Sequence, residues 1–310
     1  MLGVFLQTLP FFLVIGLGYG AGRSGFFPPA GAVWLTRFVF YFALSAMLFR
    51  FSASLSLADV LDWRLIAAYL SATLVVYMLA TAAARLRGLQ VESAAIEAQC
   101  AVVGNVGFLG VPMLGMLMGE AAIGPVMLVL AVDLMVFGSL VVILITGARD
   151  GRMSPAALGS IGGGLIRNPM IVSIAAGFAL SALEWPIPDT MNAFLALLGG
   201  AATPGALFAI GASLAEKTTE RPHVAGWLSL CKLVLHPAAV AISVLWVFDL
   251  PGFAAAVVIA SAALPVAGNV FIIAQSYGVA PRRVSSAILI STAAAVLSIP
   301  AVMGWTAALY

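Results

Sequence analysis

The stretch AQCAVVGNVGFLGVPMLGMLMG, residues 98–119, is apolar and long enough to cross a lipid bilayer, but its middle contains residues that interrupt a helix. The interruption, GNVGFLGVP, includes Gly104, Asn105, Gly107, Gly110 and Pro112. Each backbone N–H or C=O group that such a break leaves free in hydrocarbon costs several kcal/mol. A break therefore persists only where protein, water or a ligand satisfies the backbone, and the stretch predicts more than an ordinary membrane helix.

The composition is that of an integral membrane protein. Of 310 residues, 63% are hydrophobic and 8% are charged, against roughly a quarter charged in an ordinary soluble domain. The formal net charge of +2 indicates neither nucleic acid nor an acidic macromolecule as a partner. Cys100 and Cys231 lie in apolar segments, where thiols usually pack as small hydrophobic groups, so we expect no disulfide and no metal site.

Apolar runs of about 20 residues, the length that a membrane helix needs, recur along the whole chain. We number them as spans 1 to 10, at 2–22, 31–50, 64–84, 94–119, 121–146, 167–184, 190–215, 224–248, 251–279 and 285–308. This pattern predicts an all-α integral membrane protein with ten transmembrane helices.

The distribution of basic residues predicts the orientation, because basic loops stay in the cytoplasm. With the N-terminus outside, the outside loops contain only Arg50 and Arg64. The inside loops then contain Arg23, Arg85, Arg87, Arg149, Arg152, Arg167, Lys217, Arg221, Arg282 and Arg283. We therefore expect a multi-pass protein of the cell inner membrane with both termini periplasmic.

A shift of the sequence by 159 residues indicates an internal repeat. The shift superimposes Pro10 on Pro169, Gly18 on Gly177, Leu48-Phe49 on Leu207-Phe208, and Gly119 on Gly278. Because five spans is an odd number, a second five-span repeat enters the membrane from the opposite side, as in many secondary transporters. We expect a first repeat at 1–150, a Gly-rich cytoplasmic linker at 151–166 and a second, inverted repeat at 167–310.

Span 9 contains a second interruption, LPVAGN, with Pro265, Gly268 and Asn269, and the shift pairs this span with span 4. One alternative is that both are structural kinks, since Gly and Pro are common in membrane helices. If the breaks instead cross at the midplane, helix N-termini direct partial positive charge at a shared cavity, and Asn105 and Asn269 add amide donors. Gly104, Asn105, Pro112, Pro265, Gly268 and Asn269 are then the candidate residues for binding a carboxylate or another small anion.

Ionisable residues inside spans are functional by default because they are expensive in the membrane. Asp133, in the middle of span 5, must be protonated or paired; Lys232 and Arg37 are its possible partners, and Lys232 is the expected one. Lys232 and His236 are four residues apart and share one helix face, so we predict a coupling or support site of Asp133 with Lys232 or His236. Lys232 could instead reach the membrane interface, and His236 could be a hydrogen-bonded packing residue.

Two further charged residues have other expected positions. Arg37, in span 2, could tune the cavity for anions or extend to the membrane interface. Glu97, near the start of span 4, is expected at the membrane surface.

Four motifs, in order along the chain, resemble the auxin efflux carrier family, which includes plant auxin exporters and bacterial carriers, some of them described as malonate transporters. The motifs are GNVGFLGVPML with Gly119, LIRNPMIVSIAAG at 165–177, ATPGALFAIGASLA at 202–215 and ALPVAGNVFIIAQSYG at 263–278. The resemblance implies two inverted five-span repeats, a scaffold part of spans 1, 2, 6 and 7, and a transport part of spans 3–5 and 8–10. It also implies a homodimer and elevator-like alternating access.

The resemblance assigns Asn105 to the substrate-contacting asparagine of the crossover and Pro265 to the second crossover proline. The chain departs from the plant carriers in having Gly104 where they have proline, Ser45 where many relatives have proline, and no long cytoplasmic regulatory loop. The geometry of the span 4 break is therefore open at this point.

These observations predict a secondary transporter of a small organic anion, a carboxylate such as malonate or an auxin-like acid, with no cofactor and with a proton or sodium as a possible coupling ion. A sodium/proton antiporter of related architecture is the nearest alternative, although it would require paired carboxylates at the crossover. A channel would need a filter of like residues, and the chain has none. An intramembrane enzyme is disfavoured because the chain contains no HExxH and no GxSxG.

Overall fold

The computed structural model describes residues 2–55, 61–150, 163, 166–215 and 222–310, and all regular structure in these ranges is helical. We number the helices in chain order as α1 Leu2–Arg23, α2 Pro29–Ser54, α3 Trp63–Leu86, α4 Val91–Val102, α5 Val106–Met118, α6 Glu120–Arg149, α7 Pro169–Ala182, α8 Asp189–Leu214, α9 His223–Val247, α10 Gly252–Ala262, α11 Gly268–Ser276 and α12 Pro281–Leu309.

Helices α2, α3, α6, α8, α9 and α12 are each long and apolar enough to cross a membrane, with a mean hydropathy between 1.7 and 2.8 over their most apolar windows. Helices α5, α7 and α10 are shorter and also apolar. The chain is therefore an all-helical, multi-pass membrane protein, and this part of the fold prediction is confirmed. The arrangement as ten spans in two inverted repeats stays a prediction.

Side chains with local acceptors fix the starts of two helices. The Asp62 carboxylate accepts hydrogen bonds from the backbone N–H groups of Arg64 (2.8 Å) and Leu65 (3.1 Å) at the start of α3. The Asn168 amide oxygen accepts from the Met170 N–H (3.0 Å) at the start of α7. Such caps satisfy N–H groups that have no partner within the helix, which is why Asp and Asn are common at these positions.

Several long helices contain a π turn, a five-residue segment in which the backbone is locally wound more loosely. Such turns occur at Val39–Ala43 in α2, Asp133–Phe137 in α6 and Cys231–Leu235 in α9. Turns of this kind are frequent at functional sites. Two of the candidate coupling residues, Asp133 and Lys232, lie in them.

Glycines bring two pairs of helices into backbone contact. A Cβ atom added at Gly18 of α1 would lie 2.2 Å from the backbone oxygen of Phe208 in α8. A Cβ atom added at Gly177 of α7 would lie 2.6 Å from the backbone oxygen of Phe49 in α2. Small residues permit this close approach, which is a principal source of helix association in membranes.

Polar contacts connect the helix ends that the sequence assigns to the outer side. Arg50, at the end of α2, donates a 2.9 Å hydrogen bond to Asn192 near the start of α8. Arg64, at the start of α3, donates to the carbonyl oxygens of Phe248 and Asp249 that follow α9. The two arginines that the sequence analysis placed outside thus contact chain segments that it also placed outside.

A second group of polar contacts lies at the helix ends assigned to the inner side. Glu97 in α4 is 1% exposed and forms ion pairs with Arg87, after α3, and with Arg283, at 2.7 Å, in α12. Arg149 of α6 donates a 2.6 Å hydrogen bond to the carbonyl oxygen of Tyr277. The expectation that Glu97 lies near the membrane surface stays a prediction, but within the protein these arginines allow its carboxylate to be buried.

Part of the sequence-based topology falls on residues that the structure leaves undescribed. Three of the predicted inside residues, Arg152, Lys217 and Arg221, lie outside the described ranges, as does nearly all of the predicted linker at 151–166.

Candidate functional site

Two breaks in the helical structure meet, and they are the ones singled out in the sequence. Helix α4 ends at Val102 and α5 begins at Val106, while α10 ends at Ala262 and α11 begins at Gly268. The segments between them, 103–105 and 263–267, are non-helical and run antiparallel to each other, with Gly104 opposite Val266.

Reciprocal backbone hydrogen bonds join the two segments. The N–H of Asn105 donates to the carbonyl oxygen of Pro265 (2.8 Å), and the N–H of Ala267 donates to that of Val103 (3.1 Å). The N–H of Val266 donates to the Ser291 hydroxyl oxygen of α12 (3.1 Å). The chain therefore meets the requirement that broken helices satisfy their backbone inside the membrane by pairing one break with the other.

Pro112 lies outside the break, which corrects one expectation. The chain resumes a helix at Val106 with the π turn Val106–Gly110, and Pro112 occupies the second residue of the regular α-helix that follows. Proline is tolerated there because the wider turn before it already departs from regular α-helical hydrogen bonding. Pro265, in contrast, lies within its break and supplies a carbonyl oxygen to the pairing.

Gly104 also has a steric reason to lack a side chain. A Cβ atom added at this position would lie 3.3 Å from Cε and from Nζ of Lys232, and 3.3 Å from the carbonyl oxygen of Ser261. These distances are tighter than most side-chain contacts. The glycine that replaces the proline of the plant carriers therefore admits the lysine side chain against the crossing.

A small cavity of about 20 Å³ lies beside the paired segments. Its lining residues are Phe40, Val103, Gly104, Asn105, Gly107, Phe108, Leu130, Asp133, Leu134, Met170, Ala267, Gly268 and Asn269. The volume is on the order of that needed by one water molecule. Of the predicted site residues, the cavity brings together Gly104, Asn105, Gly268, Asn269 and Asp133, whereas Pro112, Pro265, Lys232 and His236 are not part of its wall.

Both asparagines stand where a half-helix begins. Asn105 directly precedes α5 and is 6% exposed, and its side-chain amide has no hydrogen-bond partner among the residues that the structure describes. Asn269 is the second residue of α11, and its side-chain oxygen is buried without a partner in the same part of the chain. The N-terminal ends of α5 and α11 carry partial positive charge and free N–H groups, which favour an anion.

Asp133 is the acidic residue in the cavity wall. Its carboxyl Oδ1 accepts a 2.8 Å hydrogen bond from the hydroxyl of Tyr69 in α3, and the whole side chain is 2% exposed. Its second oxygen, Oδ2, is buried and has no hydrogen-bond partner within the described ranges. Tyr69 therefore fixes the carboxyl group through Oδ1, while Oδ2 makes no hydrogen bond of good geometry and the backbone N–H of Gly104 lies close to the group.

Lys232 is fully buried and does not form the expected direct ion pair with Asp133. Its ammonium group donates to the carbonyl oxygen of Ala262, the last residue of α10, and to Nδ1 of His236 at 3.1 Å. No N–O distance of 4.0 Å or less joins Lys232 to Asp133, although the two are close enough to interact electrostatically. The lysine instead places a positive group at the negative, C-terminal end of a half-helix.

His236 fulfils the expectation of a hydrogen-bonded packing residue. Because Nδ1 accepts from Lys232, the hydrogen-bond network assigns the ring proton to Nε2, which lies 3.0 Å from the Thr73 hydroxyl of α3. The ring also packs edge-on against Tyr69, with ring centroids 5.8 Å apart. A role for His236 as a proton relay stays a prediction.

Tyr69 and Thr73 are contributors that the sequence analysis missed. They contact Asp133 and His236, respectively, from α3. Their spacing of four residues puts both hydroxyl groups on one face of an otherwise apolar span, and Tyr77 continues the series. This row of hydroxyl groups on one face of a membrane helix is the sequence pattern from which Tyr69 and Thr73 could have been predicted.

Arg37 does not approach the cavity. Its guanidinium group lies over the ring of Trp34, 4.9 Å from the ring centroid, on an exposed face of α2. Phe40, on the same helix, does line the cavity and stacks with Phe108 at a centroid distance of 6.3 Å. Of the two possibilities considered for Arg37, a role in tuning the cavity thus has no geometric support.

Comparison with known proteins identifies the family of the chain. The model of a family described as "Membrane transport protein" matches residues 4–303. A protein of Rhizobium meliloti (strain 1021) named "Putative malonate transporter" is 33% identical over 303 residues, which cover 96% of this chain and 93% of that protein. The chain therefore belongs to this membrane transport protein family, the auxin efflux carrier family whose motifs it carries.

Proposed function

We propose that the protein is a secondary transporter of a small organic anion, with malonate as the first candidate substrate. The observation that carries the proposal is the pairing of the two breaks, which puts two half-helix N-termini and two asparagine side chains around one cavity. Membership of a membrane transport family supports the transport class, and the name of the relative suggests malonate.

In the proposed binding mode, the substrate carboxylate lies between the two half-helices. Asn105 and Asn269 donate from their side-chain amides, and N–H groups of the first turns of α5 and α11 donate from the backbone. Gly268, where an added Cβ atom would meet nothing within 4 Å, keeps the approach open, and Pro265 holds Asn105 in place through its carbonyl oxygen. Hydrogen bonds from several donors at a positive helix end are the usual means of binding a carboxylate.

The cavity as described is too small for malonate, so binding requires its walls to separate. Phe40 of α2 and Met170 of α7 form one side of it, and residues of α5, α6 and α11 form the other. These are the predicted scaffold and transport parts, respectively. A substrate that enters between the two parts and moves with one of them fits an elevator-like mechanism.

Two symmetric contacts support an inverted repeat in which α1 and α2 correspond to α7 and α8. Gly18 packs on the backbone of Phe208, and Gly177 packs on that of Phe49; the 159-residue shift exchanges these two contacts. The reciprocal hydrogen bonds of the two breaks have the same two-fold pattern, although exchange of Asn105 with Ala267 and of Val103 with Pro265 requires a shift of 162 residues (105 to 267 and 103 to 265). Repeats at 1–150 and 167–310, with ten spans, account for both observations.

The proposed setting is the cell inner membrane, with both termini periplasmic. The grouping of Arg50 and Arg64 at one set of helix ends, and of Arg87, Arg149 and Arg283 at the other, supports this orientation because basic residues concentrate in the cytoplasm. A homodimer remains part of the proposal through the family resemblance.

A screen of the reconstituted protein tests the proposal. Purified protein in liposomes on a solid-supported membrane is exposed to steps of malonate, other mono- and dicarboxylates, aromatic acids and sodium chloride. We expect saturable currents for malonate and other short dicarboxylates and none for sodium chloride. Currents produced by sodium or proton gradients alone, with every anion silent, would favour the antiporter and overturn the anion carrier.

A further inference from the structure

The free oxygen of Asp133 is an unusual feature of an anion site. Oδ1 is fixed by Tyr69, while Oδ2 is buried, has no hydrogen-bond partner within the described ranges, and belongs to a residue in the cavity wall with Asn105 and Asn269. An ionised carboxylate at this position would repel a second carboxylate. A neutral carboxylic acid would instead donate a hydrogen bond from Oδ2 to the substrate.

The groups around Asp133 that can carry charge come from two helices. Tyr69 of α3 contacts it directly, and Lys232 and His236 of α9 lie behind the crossing. His236 accepts from Lys232 at Nδ1 and is therefore neutral. Lys232 is thus the single positive side chain in this set, and the position of a Gly104 Cβ atom, 3.3 Å from its Nζ, places it directly behind the cavity wall.

We propose that the substrate anion crosses the membrane together with one proton, which Asp133 carries on Oδ2. This inference rests on the proposed function and names its coupling ion. Asp133 takes the proton from water on one side of the membrane, becomes a neutral acid that donates to the bound anion, and returns the proton to water on the other side. No other bond forms or breaks.

Charge balance explains why the proton and the anion bind together. With Asp133 ionised, its charge offsets that of Lys232, and the cavity offers an anion little net attraction. With Asp133 neutral, Lys232 and the two half-helix ends leave the cavity positive. Each ligand therefore raises the affinity for the other, as thermodynamic linkage requires.

A sodium ion fits the same place poorly. The cavity of about 20 Å³ presents two side-chain oxygens without partners, Asp133 Oδ2 and Asn269 Oδ1, and a sodium ion there would meet the nearby Lys232. In the part of the chain that the structure describes, no group of three or more His, Cys, Asp and Glu side chains could hold a metal ion. A proton needs only one oxygen.

Proton uptake on binding tests the inference without any variant. Purified protein in weakly buffered detergent solution receives malonate while a soluble pH indicator reports the free proton concentration. We expect about one proton taken up for each malonate bound, in the pH range where free Asp133 is ionised. The apparent Kd should then rise by up to about tenfold for each pH unit, the limit for one linked proton.

Asp133→Asn supplies a second, residue-specific measurement. This variant should lose both proton uptake on binding and the pH dependence of malonate affinity. An inward proton gradient should no longer drive malonate accumulation in liposomes. Glu120→Gln is the matched control, because Glu120 is exposed at the start of the same helix and lies outside the cavity wall, and it should behave as wild type.

Two results would overturn the inference and leave the proposed function standing: malonate binding by the wild type with no proton uptake, or accumulation driven by a sodium gradient and not by a proton gradient. Absence of binding for every carboxylate at every pH would instead overturn the proposed function, and the coupling inference with it.

Discussion

The backbone of Asn105 donates its 2.8 Å hydrogen bond to the carbonyl oxygen of Pro265, so the main chain of the first break is held by the second while the Asn105 side chain stays free. The backbone of Asn105 thus holds the crossing together, and its side chain is available to bind the substrate. A change of the side chain removes a candidate ligand for the substrate and leaves the crossing intact.

Asn105→Ala is therefore expected to abolish the malonate response without unfolding the protein. Loss of one charge-assisted hydrogen bond in a buried site typically costs about 1.5–3 kcal/mol, or roughly a tenfold to more than a hundredfold loss of affinity. Currents on a solid-supported membrane measure the response, and thermal melting in detergent provides the folding control. A variant that melts like wild type and still transports malonate would remove Asn105 from the site.

Alanine at Gly104 should lower stability, whereas alanine at Gly268 should lower substrate affinity. The new methyl group at Gly104 would lie 3.3 Å from Lys232 Nζ, whereas at Gly268 it meets nothing within 4 Å. Gly104→Ala should therefore lower the unfolding free energy by about 1–3 kcal/mol, the usual cost of overpacking. Gly268→Ala should melt normally and reduce affinity more for larger dicarboxylates than for formate or acetate. Equal melting temperatures for the two variants would contradict the crowding at Gly104.

Tyr69→Phe tests the hydrogen bond that holds Asp133. The variant keeps the ring that packs on His236 and removes the hydroxyl 2.8 Å from Oδ1, which leaves a buried carboxyl group without its described partner. We expect a loss of about 1–3 kcal/mol in unfolding free energy. Tyr19→Phe, at a residue that is 42% exposed, serves as the control. Denaturant unfolding followed by tryptophan fluorescence distinguishes the two, and matching curves would argue against the hydrogen bond.

Glu97→Gln tests the buried ion pairs that connect α4 to α12. Removal of one partner from a fully buried pair costs about 3–5 kcal/mol, but Arg87 and Arg283 are 39% and 18% exposed, so we expect about 1–3 kcal/mol. Glu92→Gln, in the first turn of the same helix, should have little effect. Thermal melting of both variants in low salt provides the measurement, and equal stability would show that the arginines are solvated well without Glu97.

The close contact between α1 and α8 predicts that alanine destabilises the protein at Gly18 but not at Gly16. Gly18→Ala puts a carbon atom 2.2 Å from the backbone oxygen of Phe208, while a methyl group at Gly16, half a turn away, meets nothing within 4 Å. Gly18→Ala should therefore force the helices apart, lower the yield of monodisperse protein and reduce its melting temperature, whereas Gly16→Ala should purify like wild type. Size-exclusion chromatography and melting curves report both.

The sequence predicted the features that depend on local helix-breaking residues. Glycine and proline within apolar runs located both breaks, and the 159-residue shift paired Gly18 with Gly177 without indicating that either glycine packs on a neighbouring helix. The prediction that Pro112 belongs to the break was wrong, because a π turn before the proline allows the helix to continue. The sequence has no separate signal for such turns.

Partners distant in the chain could not be predicted in this way. The pairing of Asp133 with Tyr69, and of Lys232 with Ala262, depends on how α3, α6 and α9 are rotated about their axes. Apolar residues surround most membrane helices on all sides, so hydrophobic periodicity gives little information about rotation. The burial of Glu97 was not predicted for the same reason, since its arginine partners lie outside its own helix.

Neither break could be inserted in a membrane by its own half of the chain alone. The Val103 carbonyl and the Asn105 N–H in the first half are satisfied only by Ala267 and Pro265 in the second. Residues 1–150 expressed by themselves would expose these groups to hydrocarbon. The two segments of the crossing therefore depend on each other for insertion in a membrane, and this dependence lies in backbone groups of Val103, Asn105, Pro265 and Ala267.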